Sequence, residues 1–201
     1  MDSKKPMSQG DNRKPDASTR AAQGGHYIDP VTGAIIPPMQ PATTFARNAD
    51  YDLMGGYLYS RNASPTVDHV EQLMTELEGG AATLAFASGM AAVAALVETL
   101  DSGQRITAPD IMYHGVKSWM LRQERKRGIG LDLFDATKPD ALARAITPGK
   151  TSLVWIETPA NPTWDVIDIA RAAEAAHAAG FVHIETVQMP ANNLSVVFRK
   201  R

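Results

Sequence analysis

Residues 82–100 read ATLAFASGMAAVAALVETL, and this stretch decides the predicted fold. The apolar run at residues 82–87 predicts a short buried strand, and residues 89–100 predict a helix that the chain enters directly from that strand. A helix that begins at Gly89 directs unpaired backbone N–H groups and the positive end of its dipole toward one point. Because glycine permits close approach of the backbone and Ser88 adds a hydroxyl, the turn suits a phosphate.

The same turn also has a purely structural interpretation, in which small residues let the helix pack closely against the sheet. It lacks the Gly-Lys-Ser/Thr of a P-loop and the glycine spacing of a dinucleotide-binding fingerprint. The residues of this turn therefore leave both interpretations open.

The segments around this stretch continue an alternation of strands and helices. Ser64 and Pro65 are typical of a helix start, and Gly79 is typical of the end of that helix. Further strands are predicted at residues 105–108, 131–134, 152–157 and 181–187, and further helices at residues 113–126, 141–146 and 165–179. This order predicts an α/β fold with a mainly parallel sheet and helices on both of its faces.

The chain before this alternation has a different character. Residues 1–25 are charged and polar with almost nothing to bury, which predicts a disordered leader. Residues 26–63 are dense in proline, glycine and tyrosine, and we interpret them as an extended arm or a long loop. Residues 64–187 are then the predicted α/β domain, and residues 188–201 are a tail outside that pattern.

Composition excludes several classes of function. Of the 201 residues, 44% are hydrophobic and 21% are charged, as in a globular domain. A net charge of -2 argues against binding to nucleic acid or to an anionic membrane surface. With no cysteine and five scattered histidines, neither a thiol nucleophile nor a metal site is predicted. No apolar run is long enough for a membrane span or a secretory signal, so a cytoplasmic location is expected.

Three further groups of side chains could carry chemistry. Tyr59 and Arg61 can point to one side of an extended chain and clamp a phosphate, although a surface arginine beside packed tyrosines is the commoner outcome. Residues 157–162, ETPANP, follow an apolar strand at the position where open α/β sheets bind ligands, and a plain turn is the alternative. Tyr113 could stack on a flat ligand, and His114 could carry a proton or simply lie on the surface.

Together and in this order, these motifs resemble the Cys/Met-metabolism family of pyridoxal-phosphate enzymes. That family includes cystathionine γ-synthase, cystathionine β- and γ-lyases, methionine γ-lyase and O-acyl-homoserine sulfhydrylases. The resemblance spans about residues 27–180 and rests on five segments: QPATTF at 40–45, YSR at 59–61, EGG at 78–80, ASGMAA at 87–92 and ETPANP at 157–162.

The resemblance implies the large domain of fold type I, similar to aspartate aminotransferase, and pyridoxal 5'-phosphate as cofactor. It assigns cofactor binding to eight residues: Tyr59, Arg61, Ser88, Gly89, Met90, Tyr113, Glu157 and Asn161. The backbone amides of Gly89 and Met90 would bind the cofactor phosphate in the turn that Ser88 opens. Tyr59 and Arg61 would reach the phosphate of a neighbouring subunit. Residues 26–63 would then be an extended arm for subunit contact, and the active unit would be a dimer or a tetramer.

The remaining three residues are implied to contact the pyridine ring or to support that contact. Tyr113 would stack on the ring and is the one catalytic residue that the resemblance assigns here. Asn161 would bond the 3-oxygen of the ring, and Glu157 would support the loop that carries Asn161. The implied chemistry makes or breaks C–S bonds in homoserine esters, cystathionine, methionine or cysteine.

The resemblance ends after Gly180, where the chain reads FVHIETVQMPANNLSVVFRKR. Thr186 stands where the family has the aspartate that contacts the ring nitrogen, and the Schiff-base lysine has no counterpart. We therefore expect the front half of a transsulfuration enzyme, ended by a frameshift or a premature stop and inactive alone. The alternatives are a non-catalytic phosphate-ligand or interaction module and a generic nucleotide-binding α/β domain.

Overall fold

A central strand, β1 (Arg105–Pro109), pairs in parallel with β2 (Gly130–Phe134) on one side and with β3 (Thr151–Val154) on the other. This computed structural model describes residues 16–188 and 194–200. The helices of the described residues are α1 (Ala17–Ala22), α2 (Pro65–Glu78), α3 (Gly89–Glu98), α4 (His114–Arg127), α5 (Ala141–Ala145) and α6 (Ile169–Ala178). Two further strands, β4 (Phe181–Gln188) and β5 (Leu194–Lys200), pair with each other in antiparallel fashion.

The chain divides into two units after Leu84. In the first unit, α2 begins and ends where its capping residues predict. The Ser64 hydroxyl accepts a hydrogen bond from the Val67 amide at 3.3 Å, and Pro65 occupies the first turn. Gly79 ends the helix in the left-handed region with a φ of 63°, a conformation that glycine adopts without steric cost.

Between Tyr27 and Ser64, the first unit is mostly irregular. Two isolated antiparallel bridges, Thr44 with Tyr59 and Arg47 with Leu53, are its only sheet-like pairing among the described residues. The Tyr57 hydroxyl donates a hydrogen bond to the Asp68 carboxylate of α2 at 2.8 Å, and this bond raises the pKa of Tyr57. That bond and the bridges attach the segment to α2 and to itself.

Helices cover both faces of the parallel sheet, as the alternating sequence predicts. On one face, Ile106 of β1 packs with Val97 of α3 and Met120 of α4, and each of these side chains is at most 1% exposed. On the other face, Phe134 of β2 packs with α5 and α6. Side chains of a strand point alternately to its two faces, so the neighbouring Thr107 faces the second group.

Two buried hydroxyls lie on that second face. The Thr107 and Thr151 hydroxyl oxygens are 3.3 Å apart, in adjacent strands. Thr151 also accepts a hydrogen bond from the Thr147 amide at 2.9 Å, so neither hydroxyl is buried without a partner. The register of β1 with β3 shifts by one residue between Arg105 and Ile106, which marks a β-bulge next to this pair.

The predicted strand at residues 82–87 is wrong. This segment forms no strand, and its Leu84 and Phe86 side chains are 72% and 43% exposed. An apolar run becomes a buried strand only where a sheet edge is available to it. The parallel sheet of the described residues is built instead from three segments that follow α3.

The strand predicted at residues 181–187 is present as β4, but its predicted place in the parallel sheet is wrong. It pairs with β5 in a separate two-stranded sheet, with Phe181 opposite Lys200. The helices α3 and α5 end within two residues of their predicted ends, whereas two other elements are clearly shorter. Strand β3 ends at Val154, and α6 begins only after Asp168, whose carboxylate accepts from the Arg171 amide.

The predicted division of the chain falls partly outside the described residues. Most of the leader, residues 1–15, and residues 189–193 and 201 of the tail lie outside them. Within the described part, α1 belongs to the leader segment. The Arg20 guanidinium of α1 donates a hydrogen bond to the Glu76 carbonyl of α2 at 2.9 Å. β5 belongs to the tail segment. The three boundaries between the four predicted segments stay predictions.

Replacing Ile106 by alanine is expected to destabilise the second unit by about 2–5 kcal/mol, because it opens a cavity beneath two helices. The control is Val166→Ala, where the side chain is 77% exposed and the expected change is within about 0.5 kcal/mol. Urea titrations of both variants measure the free energy of unfolding. Equal values for the two variants would contradict the packing described here.

Candidate functional site

The N-terminus of α3 presents two free backbone donors. Ser88 caps the helix, since its hydroxyl oxygen accepts from the Ala91 amide at 3.1 Å and its carbonyl accepts from the Ala92 amide at 3.2 Å. No acceptor among the described residues bonds the amides of Gly89 and Met90, the first two helical residues. Ser88 retains its own O–H as a third donor, because it accepts at the cap and a hydroxyl can do both.

The approach to these donors is open. Ser88 and Gly89 are exposed, and a Cβ atom added at Gly89 would meet no heavy atom within 4 Å. Two free amides, a hydroxyl and the positive end of a ten-residue helix are a donor set that fits a phosphate group. The phosphate interpretation of this turn thus has the geometry that it requires.

Tyr113 and Glu157 meet at the carboxyl edge of the sheet. Tyr113 follows β1 and caps α4, and Glu157 follows β3. The Tyr113 amide donates to both Glu157 carboxylate oxygens at 3.1 Å. Because β1 and β3 are parallel neighbours, their loops leave the same edge of the sheet, where open α/β folds bind ligands.

The Tyr113 ring is 51% exposed and lies over Gly115 in the first turn of α4. A Cβ atom at Gly115 would stand 2.7 Å from the Tyr113 Cε1 atom, closer than real side chains allow. The absence of a side chain at Gly115 therefore sets where the ring can lie. A flat ring that is half exposed and backed by the start of a helix fits a stacking role.

The loop that carries Asn161 is braced by its own backbone. The Ala160 amide donates to the Asp165 carbonyl at 2.9 Å, and the Ile167 amide donates to the Thr158 hydroxyl at 2.9 Å. Ala160 is buried, whereas Asn161 is exposed. The loop thus holds the backbone of Asn161 in place and leaves its amide side chain accessible.

Tyr59 and Arg61 lie together in the first unit. An Arg61 guanidinium nitrogen donates to the Tyr59 hydroxyl at 3.2 Å, and the guanidinium carbon lies 5.1 Å from the centre of the tyrosine ring. Arg61 is exposed and Tyr59 is half-buried. The two side chains do point to one side, as their spacing predicts, and their role toward a phosphate stays a prediction.

His114 and Lys117 are two further ionisable groups near Tyr113. The His114 ring contacts the Ser118 hydroxyl at 3.3 Å on the exposed side of α4, which favours the surface interpretation of this histidine. The Lys117 ammonium donates to the Asp110 carbonyl at 2.6 Å. Both groups are therefore engaged by their own helix or by the loop that leads into it.

Sequence reasoning missed two features of this site. It did not single out Gly115, although a glycine two residues after an aromatic side chain was a visible signal. It assigned Glu157 to its own loop, whereas the structure bonds Glu157 to Tyr113, 44 residues earlier. No local pattern could have revealed that bond, because it depends on which strands are neighbours.

An open parallel sheet with helices on both faces, together with a helix start that fits an anion, is the architecture of the large domain of fold type I pyridoxal-phosphate enzymes. Two solved structures share this fold at 32% sequence identity. The structure of metB from Corynebacterium glutamicum has a TM-score of 0.75, with 82% of this chain and 43% of that chain covered. The cystathione γ-lyase CalE6 from Micromonospora echinospora has a TM-score of 0.74, with 83% and 43% covered.

The chain belongs to the Cys/Met metabolism family of pyridoxal-phosphate-dependent enzymes, whose family model matches residues 18–192. It is 37% identical to a cystathionine β-lyase of Coxiella burnetii over 173 residues, which are 85% of this chain and 44% of that protein. It is 38% identical to the human cystathionine γ-lyase over 147 residues, which are 73% of this chain and 36% of that protein. The chain thus spans less than half the length of these relatives.

No helix in the described part of the chain is long and apolar enough to cross a membrane. The family resemblance inferred from the sequence is confirmed, and so are the α/β fold and the cofactor of the family. The roles of the eight individual residues remain predictions.

Gly115→Ala is expected to weaken binding of pyridoxal 5'-phosphate by about two- to tenfold, because the new Cβ displaces the stacking ring. The free energy of unfolding should stay the same or rise, since alanine is favoured over glycine in helices by up to about 1 kcal/mol. Cofactor absorbance titrations and urea titrations measure the two quantities. Ser118→Ala, one turn further along α4, is the control: it should leave the cofactor affinity unchanged, and its free energy of unfolding should likewise stay the same or rise.

Proposed function

We propose that this chain carries the cofactor-binding part of an enzyme that makes or breaks C–S bonds in homoserine esters, cystathionine, methionine or cysteine. The observation that carries this proposal is the start of α3, where a hydroxyl and two amides that bond to no acceptor in the described part of the chain face open space. Membership of a family of cystathionine lyases and synthases supports the class of substrate.

The chain's own residues hold the phosphate end of the cofactor in this proposal. The amides of Gly89 and Met90 donate to phosphate oxygens, and the Ser88 hydroxyl donates a third hydrogen bond. Tyr59 and Arg61 add a phenol and a guanidinium to the phosphate bound by a second copy of the chain. A charged fork of this kind forms strong hydrogen bonds with phosphate oxygens.

In this proposal, the loops at the carboxyl edge of the sheet orient the pyridine ring of the cofactor. Tyr113 stacks on one face of the pyridine ring, and the Asn161 side-chain N–H donates to the 3-oxygen. Glu157 holds the chain at Tyr113, and the braced loop holds Asn161. When bound, the cofactor supplies an electron sink for the bonds at the substrate's α-carbon.

We further propose that the 201-residue chain does not turn over substrate by itself. The family resemblance implies a lysine that holds the cofactor covalently, and no lysine of this chain stands at the corresponding place in the sequence. Lys117 is the lysine nearest in sequence to Tyr113, and its ammonium is engaged by the Asp110 carbonyl. The chain also spans only 44% of the Coxiella burnetii relative.

A second candidate function is a non-catalytic module that binds the cofactor or a related phosphate ligand. The same observation favours it, because the donor set at Gly89 and Met90 is complete without a covalent lysine. This candidate and the first one predict the same phosphate contacts. They differ in whether the bound cofactor acts on an amino acid when the rest of an enzyme of this family is supplied.

Gly89→Pro tests the phosphate contact directly. Proline is favoured at the first helical position and removes one amide donor, and the extended Ser88, with φ -159° and ψ 155°, tolerates a following proline. We expect the affinity for pyridoxal 5'-phosphate to fall by about tenfold. Gly89→Ala is the matched control, because it keeps the amide. Equal affinities for the two variants would contradict the proposed phosphate site.

Borohydride reduction tests the lack of turnover. The purified chain is mixed with pyridoxal 5'-phosphate, its visible absorbance is recorded, and it is then reduced and passed over a gel-filtration column. We expect the cofactor to bind reversibly and not to be fixed to one lysine by the reduction. We also expect no product in a lyase assay. A yellow absorbance before reduction, with the cofactor bound covalently to a single lysine after it, would show that this lysine replaces the missing Schiff-base lysine. The proposal of inactivity would then fail.

A further inference from the structure

Helix α4 does not cap its own N-terminus. Tyr113 is its N-cap residue and has no side-chain capping hydrogen bond. In a capping box, a glutamate or glutamine at the third helical position accepts from the amide of the N-cap residue. Here the third position is Val116, which is apolar and only 4% exposed, and the first turn contains no acidic residue.

Glu157 provides the missing acceptor from another part of the chain. Both of its carboxylate oxygens lie 3.1 Å from the Tyr113 amide nitrogen, which is the group that a capping-box glutamate would bond. A carboxylate at this end of a helix is also stabilised by the positive end of the helix dipole. The capping box of α4 is thus completed by a residue 44 positions later, in the loop after β3.

This bond has a consequence for the Tyr113 side chain. The lack of a side chain at Gly115 leaves room for the Tyr113 ring, because a Cβ atom there would stand 2.7 Å from the ring. The Glu157 carboxylate fixes the backbone from which the same ring projects. The loop after β3 also carries Asn161, so one carboxylate ties together the two loops that hold Tyr113 and Asn161.

We propose that Glu157 is a positioning residue that caps α4 from the loop after β3 and thereby sets the place of the Tyr113 ring relative to Asn161. The significance of this role for cofactor binding rests on the proposed function, whereas the cap itself does not. Glu157 acts through the Tyr113 backbone and needs no contact with cofactor or substrate.

The test uses the full chain with Glu157→Ala, Glu157→Gln and the control Glu174→Ala, which removes an exposed carboxylate from α6. Hydrogen exchange of the Tyr113 amide, followed by NMR, reports the cap. Nuclear Overhauser contacts between the Tyr113 ring and Gly115 report the ring position. Titration with pyridoxal 5'-phosphate measures the affinity of the chain for the cofactor.

We expect Glu157→Ala to accelerate exchange of the Tyr113 amide by about tenfold, to weaken the contact between the ring and Gly115, and to lower cofactor affinity. Glu157→Gln keeps one acceptor oxygen and should restore part of each signal. Glu174→Ala should change none of them. If Glu157→Ala does not fold, Glu157→Gln against the natural chain gives the same comparison with smaller differences.

Two results would overturn the proposal. Unchanged exchange at Tyr113 would show that Glu157 is not the cap, and unchanged ring contacts despite faster exchange would show that the cap does not position the ring. If the natural chain itself fails to bind pyridoxal 5'-phosphate, the proposed function fails. The exchange and ring-contact measurements still decide the role of Glu157 in that case.

Discussion

The parallel pairing of β1 with β2 and β3 is the constraint on which the described second unit depends. Parallel strands cannot be joined by a tight turn, so each connection must cross over the sheet, and α4 and α5 lie in those connections. Parallel pairing also brings the carboxyl ends of β1 and β3 to one edge. The meeting of Tyr113 and Glu157 is a direct result of that geometry, and burial of Ile106 between helices stabilises it.

The sequence predicts the elements best where a local physical signal marks both of their ends. Helix α2 follows from a serine cap, a proline in the first turn and Gly79 in the left-handed region, all of which act within a few residues. Residues 82–87 carry a strong apolar run and still form no strand, because pairing depends on a partner edge that a local pattern does not specify. The antiparallel pairing of β4 was missed for the same reason.

In the candidate site, too, local features could be predicted from the sequence and contacts between distant residues could not. The helix start at Ser88 and Gly89 could be predicted because its capping serine and its glycine lie within a few residues of one another, and its role toward a phosphate stays a prediction. The order of motifs gave the family and its cofactor, which the family model and the solved relatives confirm. The bond from Glu157 to Tyr113 could not be predicted, since it joins residues that only the strand order makes neighbours.

The buried threonine pair across β1 and β3 has a meaning beyond its modest hydrogen bond. Thr107 and Thr151 are 0% and 1% exposed, and each satisfies the other's hydroxyl. A slip of β3 by one residue would turn Thr151 to the opposite, apolar face and leave its hydroxyl desolvated there, while Thr107 would keep only its contact with the Ala145 carbonyl at 3.5 Å. Two valines of similar size would remove that penalty. The two threonines thus help to specify the register of β3 on β1. They do so by destabilising the shifted register more than by stabilising the observed one.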